Sequence, residues 1–318
     1  MSIDRVATAT QTAYFLSQIQ GASAALDKTQ AQIASGQNAT TYAGFGDKAQ
    51  VLTATLSAGA RNSAYASATS LASTQVDMQD TQLSSLSDLA AQLKKAVGNA
   101  VANNDGSTLM DQVSSIFDQA SAILNSKDAN GDYIYSGGKT DVAPVSVTSL
   151  SQLAALPSVS GAFTNGTIKK SVQVGDGISV TYGLTASDVA TGLMQSLADI
   201  ANFDAGSNGN FAGTQNLTQA QNTFLTGAIA TTTTMAGNLN SIQAANGYVS
   251  NRLTDAASQQ SSMETLYKNF ASSIQDTNMA DAATQLSLNQ TQLQAALQVT
   301  AGLNKLSLLN YLPVSATG

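Results

Sequence analysis

The chain has 318 residues, long enough for two domains or for one body with an inserted module. Hydrophobic residues make up 43%, yet aromatics are 5% and charged residues 10%, against roughly 25% charged in an average globular protein, so small aliphatic side chains and a weakly charged polar surface suit packing against other helices and other copies. A net charge of −7 with scattered Lys and Arg argues against a phosphate-backbone partner, and the absence of Cys and His, with Glu264 the single glutamate, removes disulfides, thiolates and the usual general base or metal ligand.

From Ile3 to about Ala34 there is no Pro and one Gly, and apolar residues recur at helical spacing. Ile19, Leu26 and Ile33 lie seven apart, with Leu16 and Ala22 on the same stripe, which predicts one helix of about 30 residues, about 45 Å long. "SGQNATTYAGFGD" breaks it with Gly36, Gly44 and Gly46. A second helix is predicted over 48–101, its later part marked by Leu83, Leu86, Ala90, Leu93 and Val97. "NNDGS" stops it. A third follows over 108–125, with Leu109, Val113, Ile116, Ala120 and Ile123 on one face.

The period changes at "DANGDYIYSGGKTDVAPV", Asp128 to Val145. Asp128, Asn130 and Asp132 alternate as the first ligands of a calcium loop do, but positions six and twelve hold Tyr133 and Lys139 where Gly and a bidentate carboxylate are needed. Asn130-Gly131 is instead a hairpin signal, expected to take positive φ at both central residues. Tyr133, Ile134 and Tyr135 favour strand, and Gly137-Gly138 allows a second turn. The stretch is expected to be a corner, with no metal.

"TIKKSVQVGDGISVTY" predicts two strands joined across Gly175-Asp176-Gly177, and that Gly-Asp-Gly is a turn, having no Lys-Ser/Thr after it. Thr185 and Asp188 form a capping box for a short helix ending near Phe203. "DAGSNGNFAGT" is a linker by composition. Helical patterning returns at about Leu217 and continues to Leu312, with a break expected near Thr277–Asp281. Leu286, Leu293, Leu297, Leu303 and Leu306 form the stripe of the last segment, ended by Pro313. Asp77, Asp80 and Asp88, and the pairs Lys94-Lys95 and Lys169-Lys170, read as solvated faces. No apolar run is long enough for a membrane span, and the first twenty residues lack the order of a cleaved secretory signal.

Three stretches carry a family resemblance: the first helix with "IASGQNATTYAGFGDKA", the corner "DANGDYIYSGGKTDVAPV", and the end "ATQLSLNQTQLQAALQVTAGLNKLSLLNYL". Together they resemble the flagellin superfamily over about 240 residues. In the corner the matching residues are Asn130, Gly131, Tyr133, Tyr135, Gly137, Lys139, Thr140 and Pro144. The Asn-Thr-Asn usual near the start of filament flagellins is replaced here by "ATATQTAYF".

The resemblance implies a mainly α fold with a small β-containing insert: an elongated helical bundle or coiled coil formed by the N- and C-terminal segments, with a central outer domain. The expected segmentation is 1–47 (N-terminal coiled coil), 48–140 (helical rod with the corner), 141–211 (β-rich outer domain), 212–276 (returning rod) and 277–318 (C-terminal coiled coil). The implied role is a non-enzymatic subunit of the extracellular bacterial flagellum, exported without a cleaved signal and joining hook to filament by self-assembly. Filament flagellin itself is the alternative, then a secreted type III tip or translocator protein. Implied partners are copies of itself, hook-associated protein 1, flagellin and an export chaperone, with no cofactor, nucleic acid or membrane insertion. The implied assembly interface is Ile19, Leu26 and Ile33 with Leu286, Leu293, Leu297 and Leu303.

Overall fold

The computed structural model describes residues 2–309, and the side-chain surroundings of residues 10–302. The fold is mainly α with one small antiparallel sheet. Its helices are α1 (Ser2–Ser35), α2 (Lys48–Asn103), α3 (Leu109–Leu124), α4 (Leu150–Ala154), α5 (Ala186–Ala205), α6 (Gln219–Gln275) and α7 (Met279–Leu309). The strands are β1 (Ser171–Gly175) and β2 (Ile178–Thr181). None of the three prolines of the chain falls within a described helix, so no interior N–H is missing, and α2 and α6 run for 56 and 57 residues.

Two compact units are present: Met1–Ala60 with Glu264–Gly318, and Arg61–Met263. The terminal unit contains α1 and α7, which pack against each other. It also holds the first turns of α2 and the last of α6, where Leu52, Ala271 and Ile274 are buried beside Phe45.

The central unit has the larger core. Leu83, Leu86, Leu93 and Val97 of α2 lie fully buried against Val113, Ile116 and Phe117 of α3 and Leu193, Met194 and Leu197 of α5. Each such aliphatic side chain contributes roughly 1.5–3 kcal/mol by leaving water. The helical periodicity of α2 and α3 therefore reports burial correctly, except that Ile123 is only half-buried and Leu124 takes the inner place. Asn104, at φ 53°, ends α2 in the left-handed conformation, and Asp105 N–H bonds back to Ala100 O at 3.0 Å.

The predicted strand pair is present, with Ser171 opposite Thr181 and Val172 opposite Val180, and Gly177 at φ 72° in the turn. Period-2 alternation turns Val172, Val174 and Val180 inward onto Ala72 and Val76 of α2 and Leu253 of α6. The rest of 141–211 is α4, a 3-10 turn at Val159–Ala162, α5 and loop. The predicted capping box opens α5: Thr185 Oγ1 accepts from Asp188 N–H and Asp188 Oδ2 accepts from Thr185 N–H, both at 3.3 Å.

The corner departs from expectation in one respect. Positive φ falls on Gly131 (86°) but not on Asn130, so the turn is not the mirror-image two-residue type. Gly131 N–H bonds to Asp128 O at 3.0 Å and Asp128 N–H to Asp132 O at 2.8 Å, which makes a three-residue loop closed by a left-handed glycine. The reason is Asp128: its Oδ1 accepts from the N–H groups of Asn130 (2.9 Å) and Asp132 (3.1 Å), which holds the turn in its ordinary hand. The first residue of the alternating Asp-x-Asn-x-Asp pattern thus serves the backbone N–H groups of the other two. Strand pairing around it is limited to one bridge, Lys127 to Tyr133, because Tyr133 N–H then turns to Thr140 O and Tyr135 leaves the ribbon for the core.

Candidate assembly surface

On α1 the half-buried residues Phe15, Ile19, Ala22, Leu26 and Ile33, with Thr29 buried, recur at alternating steps of four and three. On α7 the same steps link Ala282, Leu286, Asn289, Leu293, Ala296 and Thr300, with Ala282 and Asn289 buried. This is the a/d repeat of a two-helix coiled coil. Most of its members stay only half-covered, because a two-helix seam cannot wrap around its own contact residues.

Two polar features fasten the seam. Inside it, Asn289 Nδ2 donates to Thr29 Oγ1 (3.0 Å) and to Ala25 O (3.3 Å), while Thr29 Oγ1 donates to Ala25 O at 2.9 Å. At its end, Asn38 reaches the break between α6 and α7. Its Nδ2 donates to Ile274 O and Asp276 O, both at 2.9 Å, and its Oδ1 accepts from Thr277 Oγ1 at 3.2 Å. Backbone bonds reinforce this latch, from Asn38 N–H to Gln275 O (2.8 Å) and from Thr277 N–H to Gly36 O (2.9 Å). A side chain far away in sequence therefore satisfies carbonyls that the end of α6 leaves without helical partners. A polar groove of about 430 Å³ runs beside these groups, lined by Lys28, Gln32, Asn278, Asp281 and Gln285 among others.

Large apolar side chains left in solvent are concentrated in the same unit. Eleven of the sixteen found among the described residues belong to it, although it is the shorter unit. Tyr14 and Leu16 of α1 are 60% and 55% exposed, and Leu288 and Val299 of α7 are 47% and 48%. Six of the eleven lie on α1 and α7 and the others around Tyr42 and on the ends of α2 and α6 within the unit, which makes this unit the candidate interaction surface.

The residues expected at the assembly interface divide accordingly. Ile19, Leu26 and Ile33 lie on the α1 seam, and Leu286 and Leu293 on that of α7, all half-buried. Leu297 does not join them. It is 50% exposed, because the stripe passes through Ala296, and so belongs to the outward apolar set. Leu303, Leu306 and Pro313 lie outside the residues whose side chains are described. Sequence reading passed over Thr29, Asn38 and Asn289. A polar residue at a heptad position is the signal that could have found two of them; Asn38 offers none.

The corner residues act as structure. Asn130 and Gly131 are exposed at the turn, Tyr133 is half-buried with Lys127 Nζ 4.5 Å from its ring centre, and Pro144 is buried. Gly137 has φ 63°, and a Cβ there would sit 2.6 Å from Gly166 O, so only glycine fits without a shift. Tyr135 is fully buried, its carbonyl accepting from Ala186 N–H at the start of α5 (2.9 Å). Among the described residues its hydroxyl has no partner, and burial pushes its ionisation well above the usual range for a phenol. Asn125, also missed, clasps Val145 with both ends of its amide: Nδ2 to Val145 O at 3.0 Å and Val145 N–H to Oδ1 at 2.9 Å.

Ionic chemistry is sparse. Burial raises the Asp188 carboxyl, but hydrogen bonds from Thr185 and Lys169 and the Lys169 charge outweigh it and hold the group below its ordinary value; Lys169 Nζ lies 3.1 Å away. Among the described residues no three acidic groups gather where they could hold a metal, and no helix is long and apolar enough to cross a membrane.

Residues 229–312 match the bacterial flagellin C-terminal helical region. No curated protein matches the chain in sequence. Among solved structures, a protein of Vibrio parahaemolyticus provisionally described as flagellar hook-associated is similar at TM-score 0.55 and 21% identity, covering 72% of this chain and 97% of its own. Bacillus cereus FlgL aligns at TM-score 0.44 and 13% identity, over 71% of this chain and 95% of its own. In its C-terminal helical region the chain is thus similar to bacterial flagellins, and over most of its length it shares the fold of the Vibrio parahaemolyticus protein.

Proposed function

We propose that the protein is a structural subunit of the bacterial flagellum that joins hook to filament by helical self-assembly. The observation that carries this reading is the concentration of exposed apolar side chains on the terminal unit, whose C-terminal half lies in the flagellin-like segment. A surface of that kind on a weakly charged chain is stabilised by covering it with neighbours. At roughly 25 cal/mol per Å² of apolar area, a modest contact repeated along a helical array becomes strong. The partners are copies of this chain, hook-associated protein 1 on one side and flagellin on the other, with an export chaperone beforehand. The location is the extracellular flagellum, reached through the type III channel without a cleaved signal. The absence of Cys suits threading through such a channel, since no disulfide can form to block it.

The corner "DANGDYIYSGGKTDVAPV" and the ending "LSLLNYL" favour the hook–filament junction protein within the superfamily. The match to the flagellin C-terminal region keeps filament flagellin as the second reading. Immunogold labelling of isolated flagella with antibody to this chain separates the two. Label confined to a short zone where hook meets filament is the expected result, label along the whole filament supports flagellin, and flagella without label contradict both.

A further inference from the structure

The pairing of α1 with α7 can be followed layer by layer. The C-terminal end of α1 lies beside the start of α7, as the Asn38 bonds require, so the helices are antiparallel. Counting outward from the Asn289 contacts, the stripes set Ile19 against Ala296, Ala22 against Leu293, Thr29 against Leu286 and Ile33 against Ala282. A large side chain meets a small one in layer after layer, which packs well. Most of this complementarity returns after a slip of one heptad. In one direction Ala22 meets Leu286 and Leu26 meets Ala282, with Phe15 against Leu293 the one pair of large side chains; in the other, Leu26 meets Ala296, Thr29 meets Leu293 and Ala22 meets Thr300. Apolar packing therefore discriminates poorly between registers about 10.5 Å apart along the axis.

The polar layer behaves differently. In either slipped register the place of Thr29 beside Asn289 is taken by Ala22 or Gly36, neither of which offers a side-chain acceptor. The buried amide then loses a partner, which is costly where water is excluded. The Asn38 latch likewise forms in a single register, because its five bonds join residues 36–38 to 274–277 and nothing equivalent lies seven residues away.

We propose that the carboxamides of Asn38 and Asn289, rather than the apolar layers, select the register in which the terminal helices pair. Correct register fixes where Leu16 and Tyr14 stand relative to Leu288 and Leu297, so it defines the apolar pattern that a neighbouring copy meets. This inference concerns the chain's own helix pair and stands or falls independently of the flagellar reading.

The absence of Cys makes the test clean, since two introduced thiols carry the only spin labels. Ser17→Cys and Ser287→Cys place labels on exposed positions about eleven residues apart along the paired axis, so a one-heptad slip changes their separation measurably. Pulsed dipolar spectroscopy on the full chain should give one distance in the parent and in a Thr29→Ser background, which keeps the hydroxyl. Asn289→Leu and Asn38→Ala should each add a minor second distance. Together they should shift the register equilibrium by roughly tenfold or more, although Asn289→Leu adds apolar surface to the seam and keeps helix content at or above the parental level. A single parental distance in the double variant with helicity retained overturns the proposal. Should the double variant lose helicity, a single unchanged distance in both single variants overturns it equally.

Discussion

Tyr135 and Gly137 sit two residues apart in the corner and answer to different forces. Tyr135 supplies apolar volume to the core while its hydroxyl finds no partner there. Removing that hydroxyl costs nothing that the fold uses, so Tyr135→Phe should change stability by less than about 1 kcal/mol or raise it, whereas Tyr135→Ala should lose about 3–5 kcal/mol in urea unfolding. The raised ionisation gives a pH test. The folded state favours the neutral phenol, so its contribution is full below the ordinary phenol range and declines as pH rises above about 10. Between pH 9 and 11 the parent should therefore lose more stability than Tyr135→Phe. Gly137→Ala must place a Cβ against Gly166 O at positive φ, and should lose about 1–3 kcal/mol for the backbone alone, with the overlap adding to it. The importance of both positions was legible in the sequence, because a tyrosine in a β-rich run and a glycine pair are local signals. That Tyr135 leaves the ribbon for the core was not, since the reason lies in α5, about fifty residues on.

Elements show where local code suffices and where it fails. The capping box of α5 was readable because its two partners are three residues apart and the code is wholly local. Thr185→Ala should cost about 1 kcal/mol, read as a lower urea midpoint with unchanged slope. The lowered Asp188 carboxyl adds stability that is present above about pH 4 and lost as pH falls through its folded value, and Lys169→Ala should shrink that acid loss. The turn at Asp128 was readable as a turn but not by type, since Asn-Gly serves both geometries and the Asp128 carboxylate decides between them. The α7 stripe departs from the leucine pattern at one point. Following leucines leads from Leu293 to Leu297, while the helix follows Ala296, and a reader who counts only large apolar residues cannot see a seam built partly from Ala, Thr and Asn. The latch of Asn38 lies beyond any local pattern, because its partners are more than two hundred residues away.

Across the whole molecule, burial and apolar exposure are divided unequally between the units. The central unit has a large core of its own and leaves five large apolar side chains in solvent, while the smaller terminal unit leaves eleven among the described residues. Replacing Leu16, Leu288 and Leu297 together by Gln should therefore leave thermal unfolding nearly unchanged, at about ±0.5 kcal/mol per site, yet abolish incorporation into flagella, scored by motility and by blotting of sheared filaments. Loss of folding in that variant would instead place those side chains in the subunit's own stability. The central claim is that the chain joins hook to filament, and electron microscopy of flagella from a strain lacking its gene tests it most directly. Hooks without filaments, with flagellin shed into the medium and filaments restored by the intact gene, are the predicted result. Normal hooks carrying complete filaments would contradict it.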